Sequence, residues 1–573
     1  RSTLFPYTTL FRSSYRFSEV DIQGGIIHRN VYGGGSVAGT GMPKFYGQDY
    51  EPYKKGDKVQ GKQSMNIVTI SGGPIGQEGY GGNVFGASRG EAELVAVENP
   101  MFATAIWTEV NIKPNATNRA NDPVIYGNVY GGGELGSVKK DTKVSLTGGE
   151  IKHDAYGGGK GIKADAGAVE ANIGGNTTVE LNKGVDEEAK GCIVQRIFGC
   201  NDQNGTPKGH ALVHVYATQH KNQLTIGSKY AKFKSMEGGY TLTNYTDNTY
   251  DDDLKKIAST VLTTDEIDAF EGQIDGGADA TAKTAALNKY IEAIADKKYD
   301  VLGVYGGGDL ARYEPTDIRN ENTEVIIDGC YVTSIKQVYG GGNAASTPAN
   351  NVRINAAYEI HEAFGGGNGK DAYELNGKWY ENPGANVGYY ATFHHNTTDP
   401  AKGTTQTNPY PAVVNDGSGG YKDATTPAAR RANYPYGEGT AKLIITGGRI
   451  HTTYGGSNTR GNVRAEVHTS TEDAGDCTLS IDASYPAGKN ADTDAGSKVE
   501  AKCVDYQEAI YGGAYGANVY SDVVIDITNG TYGKIYGGND RSGHIYGSIT
   551  INVHEEGCKP IVIDELYGGG KQA

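Results

Sequence analysis

The sequence predicts an all-β fold, a parallel β-helix solenoid with coils of about 25 residues and one small α-helical insertion. Three observations support this prediction: an excess of glycine, a recurring aromatic–Gly–Gly signature, and short runs in which apolar and polar residues alternate. Glycine accounts for 85 of the 573 residues, about twice its average share. A collagen would need glycine at every third position, and a disordered linker would lack the many Val, Ile and Tyr residues present here.

The repeat is marked by an aromatic residue followed by two glycines. Three of the gaps between successive copies are 25 or 26 residues, and gaps of 48 and 50 are close to twice that length. Self-similarity at a fixed period is the signature of a solenoid. The eleven aromatic residues are Tyr32, Tyr80, Tyr130, Tyr156, Tyr305, Tyr339, Phe364, Tyr454, Tyr511, Tyr536 and Tyr567.

Each repeat unit contains short strands and tight glycine corners. In residues 142–159, TKVSLTGGEIKHDAYGGG, Val144 and Leu146 alternate with polar residues, which is typical of a half-buried strand. Gly148 and Gly149 then supply the backbone freedom that a corner requires. The unit has no helical period, which excludes leucine-rich and helical solenoids. Equivalent strands are expected to stack about 4.8 Å apart from coil to coil, with the usual right-handed crossover.

The aromatic residues are predicted to form their own stacked column at the corner of the coils. The alternative is a row of exposed rings on which carbohydrate stacks. Weaker copies of the repeat fill long gaps, and one of them places Phe198 at the aromatic position.

The chain is expected to divide into six segments. Residues 1–13 include TLFPYTTLFRS, which looks like a translated sequencing adapter and is interpreted as an artefact. Coils are predicted in 14–216, 301–369 and 439–573, the last cut from a longer reading frame, with a helical hairpin insertion in 217–300 and a long irregular insertion in 370–438.

Two helical periods support the hairpin within residues 217–300. Apolar residues recur at i, i+3, i+4 and i+7 in each period. The aspartates at 251–253 are interpreted as charge at a helix start rather than as metal ligands. The two sets are Leu254, Ile257, Ala258 and Val261, and Leu287, Tyr290, Ile291 and Ile294.

Charge and motifs exclude several classes of function. The net charge of −15 and the lack of a basic stripe argue against nucleic-acid binding. No apolar run is long enough to span a membrane, and none of the six cysteines forms a CxxC pair. Neither His394-His395 nor the segment 492–496, which partly matches a calcium loop, has metal-binding spacing, so no metal or cofactor is expected.

No catalytic residues are predicted. Pectin-degrading β-helix hydrolases carry four short motifs on successive coils, and Arg449-Ile450-His451 is a partial match to one of them. The other three motifs are absent from the predicted coils. No nucleophile elbow or phosphate-binding loop is present either.

Strand–Gly-Gly–strand units that end in sequences such as QVYGGG, residues 337–342, carry a family resemblance. From residue 15 onward the chain resembles glycine-rich β-helix proteins on the surface of gut Gram-negative bacteria, similar to adhesin or autotransporter-passenger stalks. The resemblance implies a non-enzymatic, extracellular or outer-membrane-associated protein for adhesion or structural display. Host or dietary glycans or surface proteins are the implied partners. The alternative is a β-helix carbohydrate-active enzyme, a polysaccharide lyase or glycoside hydrolase.

Overall fold

The computed structural model describes most of the repeat region. It covers residues 12–14, 17–40, 65–92, 103–163, 167–186, 190–218, 254–255, 258, 262, 264–318, 320–330, 332–375, 377–388, 413–415, 421–423, 439–472, 505–555 and 560–572.

Two parallel sheets of 12 strands each run the length of the described chain, which confirms the predicted parallel β-helix. The chain visits the sheets alternately, so each pair of strands forms one coil. The strands of sheet 1 are Phe17–Ile22, Met65–Ile70, Trp107–Ile112, Thr142–Leu146, Thr177–Leu181, Ala211–Val215, Thr323–Ile327, Asn350–Ile354, Thr440–Ile445, Glu466–Thr471, Val523–Ile527 and Ile549–Val553. Those of sheet 2 are Val31–Tyr32, Val84–Phe85, Val129–Tyr130, Asp154–Tyr156, Arg196–Phe198, Val301–Tyr305, Ser334–Tyr339, Glu359–Phe364, Gly448–Tyr454, Asp505–Tyr511, Thr531–Tyr536 and Val562–Tyr567.

Smaller elements complete the coils. In the early coils, the chain forms a strand of a three-stranded sheet 3 after its strand of sheet 1 and before its strand of sheet 2. Single parallel bridges, such as that between Val463 and Val519, also connect neighbouring coils outside these sheets. Sheet 3 consists of Pro74–Ile75, Val124–Ile125 and Glu150–Ile151. The remaining elements are Arg12–Ser14 paired with Gly39–Thr40, the 3₁₀ helix Arg119–Asn121, and the antiparallel pairs Tyr373–Leu375 with Lys378–Tyr380 and Val413–Asn415 with Tyr421–Asp423.

The core is a set of apolar columns that run from coil to coil. In Thr142–Leu146 the side chains alternate between buried and half-buried, as the sequence pattern predicts. Val144 pairs with Val110 on one side and Val179 on the other, so identical side chains stack at strand spacing. Coils without insertions advance by 26 or 27 residues, as between Val523 and Ile549 or Thr323 and Asn350.

The first glycine after each aromatic residue is required by the close approach of neighbouring coils. A Cβ atom on Gly131 would lie closer than 3.0 Å to the carbonyl oxygen of Gly157, a separation that real Cβ atoms essentially never show. The backbone N–H of Gly131 also donates to the carbonyl oxygen of Tyr156 at 2.9 Å. The same crowding recurs at each equivalent glycine from Gly33 to Gly537.

Buried threonines connect the two sheets within a coil. The Oγ1 atoms of Thr108, Thr142, Thr177 and Thr323 each donate to the carbonyl oxygen of the glycine that follows the aromatic residue, at 2.5–2.7 Å. Because a buried carbonyl without a partner is costly, this repeated bond fixes the position of the glycine corner.

The insertion near residue 280 contains two helices that share a small core, which agrees with the predicted α-helical insertion. Helix α1 is Thr264–Asp275 and helix α2 is Ala280–Lys298. Asp279 caps α2 by accepting a hydrogen bond from the Ala282 N–H at 2.9 Å. Leu287, Tyr290 and Ile294 are fully buried in a separate small core. Of the first predicted period, Leu254 and Ala258 join this core, whereas Ile257 and Val261 lie outside the described residues.

Candidate functional site

Twelve aromatic rings stack in a single column along sheet 2. Successive ring centroids are 4.6–5.1 Å apart and the ring planes differ by 4–12°. The column forms a cluster separate from the apolar core, because each ring follows an inward-facing residue of the strand. In order, the rings are Tyr32, Phe85, Tyr130, Tyr156, Phe198, Tyr305, Tyr339, Phe364, Tyr454, Tyr511, Tyr536 and Tyr567.

The prediction for Tyr80 is wrong, because Phe85 occupies this level of the column. Tyr80 is 83% exposed and lies on a tight turn, whereas Phe85 stacks between Tyr32 and Tyr130. Phe85 is followed by Gly86 and Ala87, so it does not match the aromatic–Gly–Gly pattern. Only the first glycine is indispensable here, since a Cβ atom on Gly86 would meet the Gly131 carbonyl oxygen.

The interior rings of the column are buried and unavailable for carbohydrate stacking. The hydroxyl of Tyr130 donates to Asp202 Oδ2 at 2.8 Å, and that of Tyr339 donates to Asn368 Oδ1 at 3.0 Å. The ring of Tyr567, in the last strand of sheet 2, is 44% exposed. The geometry favours a structural column over a binding platform.

An acidic cluster lies under the corner loops beside the column. Burial, reinforced by the charge of Asp309, raises the pKa of Asp202 to about 7. Arg196 donates to both carboxylate oxygens of Asp154, at 3.0 and 2.6 Å. Carboxyl groups with shifted pKa values are candidates for acid–base chemistry. Asp202 is only 7% exposed and already bound by Tyr130, so we assign it a packing role.

A second cluster, on sheet 2, is centred on His451. Its Nε2 lies 2.5 Å from Glu359 Oε1 and its Nδ1 lies 2.8 Å from Glu508 Oε1. Burial alone lowers the His451 pKa, but the hydrogen bonds and charges of Glu359 and Glu508 outweigh it and raise the pKa above its usual value. The Glu508 side chain is 47% exposed and Arg449 Nη2 lies 3.8 Å from it. The cluster is therefore an imidazole between two carboxylates that favour its cationic form, and one of these carboxylates reaches solvent.

Sequence reasoning singled out Arg449-Ile450-His451 but missed both glutamates. They come from the preceding and following strands of sheet 2, and long insertions separate all three in the sequence. Only the register of the coils reveals that Glu508 lies beside His451.

A cleft of about 450 Å³ lies beside the turn that carries Tyr80. It is lined by Glu78, Gly79, Gly81, Tyr126, Lys152 and His153. Its volume falls within the range of about 300–1,000 Å³ that is usual for small-molecule sites. The sequence pattern did not predict this cleft, since its residues come from three different coils.

The cysteines differ in state. Cys192 and Cys200 are buried free thiols, and burial raises the pKa of each. Cys330 is disulfide-bonded. A buried thiol with a raised pKa is a poor nucleophile, so Cys192 and Cys200 serve packing.

Three predictions concern residues that the structure leaves out. The aspartates at 251–253, the pair His394-His395 and the segment 492–496 all lie outside the described residues. Within the described ranges, no group of three or more His, Cys, Asp or Glu side chains is arranged to hold a metal ion. In the same ranges, no helix combines the length and apolar character needed to cross a membrane.

No protein-family model matches the chain, and no curated protein or solved structure matches it either. The resemblance to cell-surface stalks therefore remains a prediction from the repeat units.

Proposed function

We propose that the protein is a non-enzymatic β-helix of the cell surface that serves adhesion or structural display. The observation that carries the proposal is the continuous aromatic column, which runs along sheet 2 from its first strand to its last. Stacked rings and crowded glycines hold each coil at a fixed distance from the next. Such a scaffold is suited to holding loops and insertions in place along a rod.

The disulfide at Cys330 supports a location outside the cytoplasm. Disulfides persist in oxidising compartments and are rare where thiols are kept reduced. The net charge of −15 suits a protein that stays soluble among other surface molecules.

Antibody staining of intact source cells tests the surface location. An antibody raised against the purified chain should stain cells without permeabilisation, and external protease should abolish the signal. A cytoplasmic protein stained in parallel provides the control for cell integrity. Staining that appears only after permeabilisation would contradict the proposal.

The His451 cluster favours one alternative, a carbohydrate-active β-helix enzyme. A solvent-reaching carboxylate beside a histidine of raised pKa resembles an acid–base arrangement. We expect no release of reducing ends or unsaturated products when the chain is incubated with a panel of plant and host polysaccharides. Turnover that is lost in Glu508→Gln and kept in Glu565→Gln, an exposed carboxylate of the same sheet, would establish the enzyme instead.

A further inference from the structure

The turn from Gln77 to Gly81 presents Tyr80 to solvent. The Gln77 N–H donates to the Gly81 carbonyl oxygen at 3.1 Å, and the Tyr80 N–H donates to the Gln77 carbonyl oxygen at 3.1 Å. Gly76 and Gly81 have positive φ angles of 84° and 66°. A Cβ atom on Gly76 would overlap the backbone of Gly81, so this tight turn requires glycine at position 76.

The exposure of the Tyr80 ring is unusual for this molecule. At 83% it exceeds that of every other large hydrophobic side chain in the described ranges, including Trp379 at 69%. A large aromatic side chain on a rigid turn offers contact area at low cost in conformational entropy. Tyrosine is enriched at interfaces, because one end of its side chain is apolar and the other can hydrogen-bond.

The cleft beside the turn supplies polar groups of mixed kind. Glu78 offers acceptors, Lys152 offers donors, and His153 offers both. Lys152 Nζ already contacts Glu150 Oε1 at 2.7 Å, so its charge is partly neutralised. Tyr126 adds a second ring with a hydroxyl. Because Lys152 is paired with Glu150, the cleft offers no unopposed positive charge to an anion, and its mixture of donors and acceptors suits a ligand rich in hydroxyl groups.

We propose that this cleft binds a short neutral oligosaccharide, with the C–H face of one sugar stacked on the Tyr80 ring. This inference rests on the proposed function and names its ligand class. Hydroxyl groups of the neighbouring sugars bond to Glu78, Lys152 and His153. Tyr80 lies between Gly79 and Gly81, which line the cleft, and it is the one aromatic residue of the eleven aromatic–Gly–Gly copies that lies outside the column.

Titration with four neutral tetrasaccharides tests the proposal: cellotetraose, maltotetraose, mannotetraose and chitotetraose. Binding is measured by isothermal titration calorimetry and by saturation-transfer NMR on the sugar. We expect at least one of them to bind, Tyr80→Ala to weaken binding at least tenfold, and Tyr80→Phe to stay within threefold of the parent chain. Trp379→Ala, an exposed aromatic on another hairpin, should leave the affinity unchanged.

Two results would overturn the inference: no binding by any of the four sugars, or equal loss in Tyr80→Ala and Trp379→Ala. Thermal melting of each variant shows whether it folds, and neither exposed ring is expected to affect the melting temperature. Either result would leave the surface location open to the staining experiment, so the two proposals fail separately.

Discussion

At the residue scale, several tyrosine hydroxyls of the column connect coils that are not neighbours. Tyr32 donates to Glu134 at 2.5 Å, and Tyr454 donates to Asp540 at 3.2 Å. Each acceptor follows the strand of sheet 2 that lies two steps further along the column. The ring stabilises adjacent coils and the hydroxyl stabilises the next one, so tyrosine does more here than phenylalanine.

Replacing Tyr130 by phenylalanine should destabilise the protein by about 1–3 kcal/mol, because the buried Asp202 loses its donor. The ring itself fits, since phenylalanine occupies other levels of the column, at Phe85 and Phe198. Urea unfolding measures the change. Tyr156→Phe is the matched control, because that hydroxyl lies 3.4 Å from Asp154 of its own strand, and its cost should be smaller. Equal costs for the two variants would contradict the assigned role.

Residue-level detail was only partly predictable from the sequence. Ten of the eleven aromatic–Gly–Gly residues lie in the column, and Phe198 was found from a weaker copy. Phe85 was missed because the pattern demanded a second glycine that the coil contacts do not need. The glutamates beside His451 were missed because only the three-dimensional register brings them together.

At the scale of elements, the glycine corner sets how closely strands of sheet 2 approach. The alternating strands and helix α2 were predictable because burial on one face imposes a period on the sequence. The exact length of each coil was not predictable, because short loops lengthen some of the early coils. Thr142 and Thr177, for example, are register partners in neighbouring coils but lie further apart in the sequence than one repeat of about 25 residues.

Gly131→Ala should destabilise the chain by about 1–3 kcal/mol or more, since the new methyl group overlaps the Gly157 carbonyl oxygen and the coils must separate. Gly568→Ala is the control. It occupies the equivalent place in the last strand of sheet 2, with no atom within 4 Å of its Cβ position. Its melting temperature should match that of the parent chain. A harmless Gly131→Ala would show that the corner tolerates side chains.

At the scale of the whole molecule, stability is a sum of coils and the contacts between neighbouring coils. Buried ionisable groups add a dependence on pH. Burial raises the pKa of Asp505 to about 7, as it does for Asp202. Each such acid stabilises the fold most when it is protonated, below its unfolded pKa of about 3.9.

The melting temperature should therefore fall as pH rises from 5 to 8. Stability from Asp202 and Asp505 is lost as the pH passes through about 7, and the raised pKa of His451 acts in the same direction. Circular dichroism melts across this range measure the slope. Asp202→Asn combined with Asp505→Asn should flatten it, and an unchanged slope would show that other groups control the effect.

The equivalence of coils has a genetic consequence. Tyr511 and Tyr536 are direct register partners, and the strand residues around them are paired in the same order. If the DNA for one such unit were lost or duplicated, the strands on either side would still pair in the same register. Unequal recombination could thus lengthen or shorten the rod in steps of about 4.8 Å, the spacing of neighbouring strands. Overall length becomes a trait that selection can adjust while the strand pairing and the ring stacking are kept.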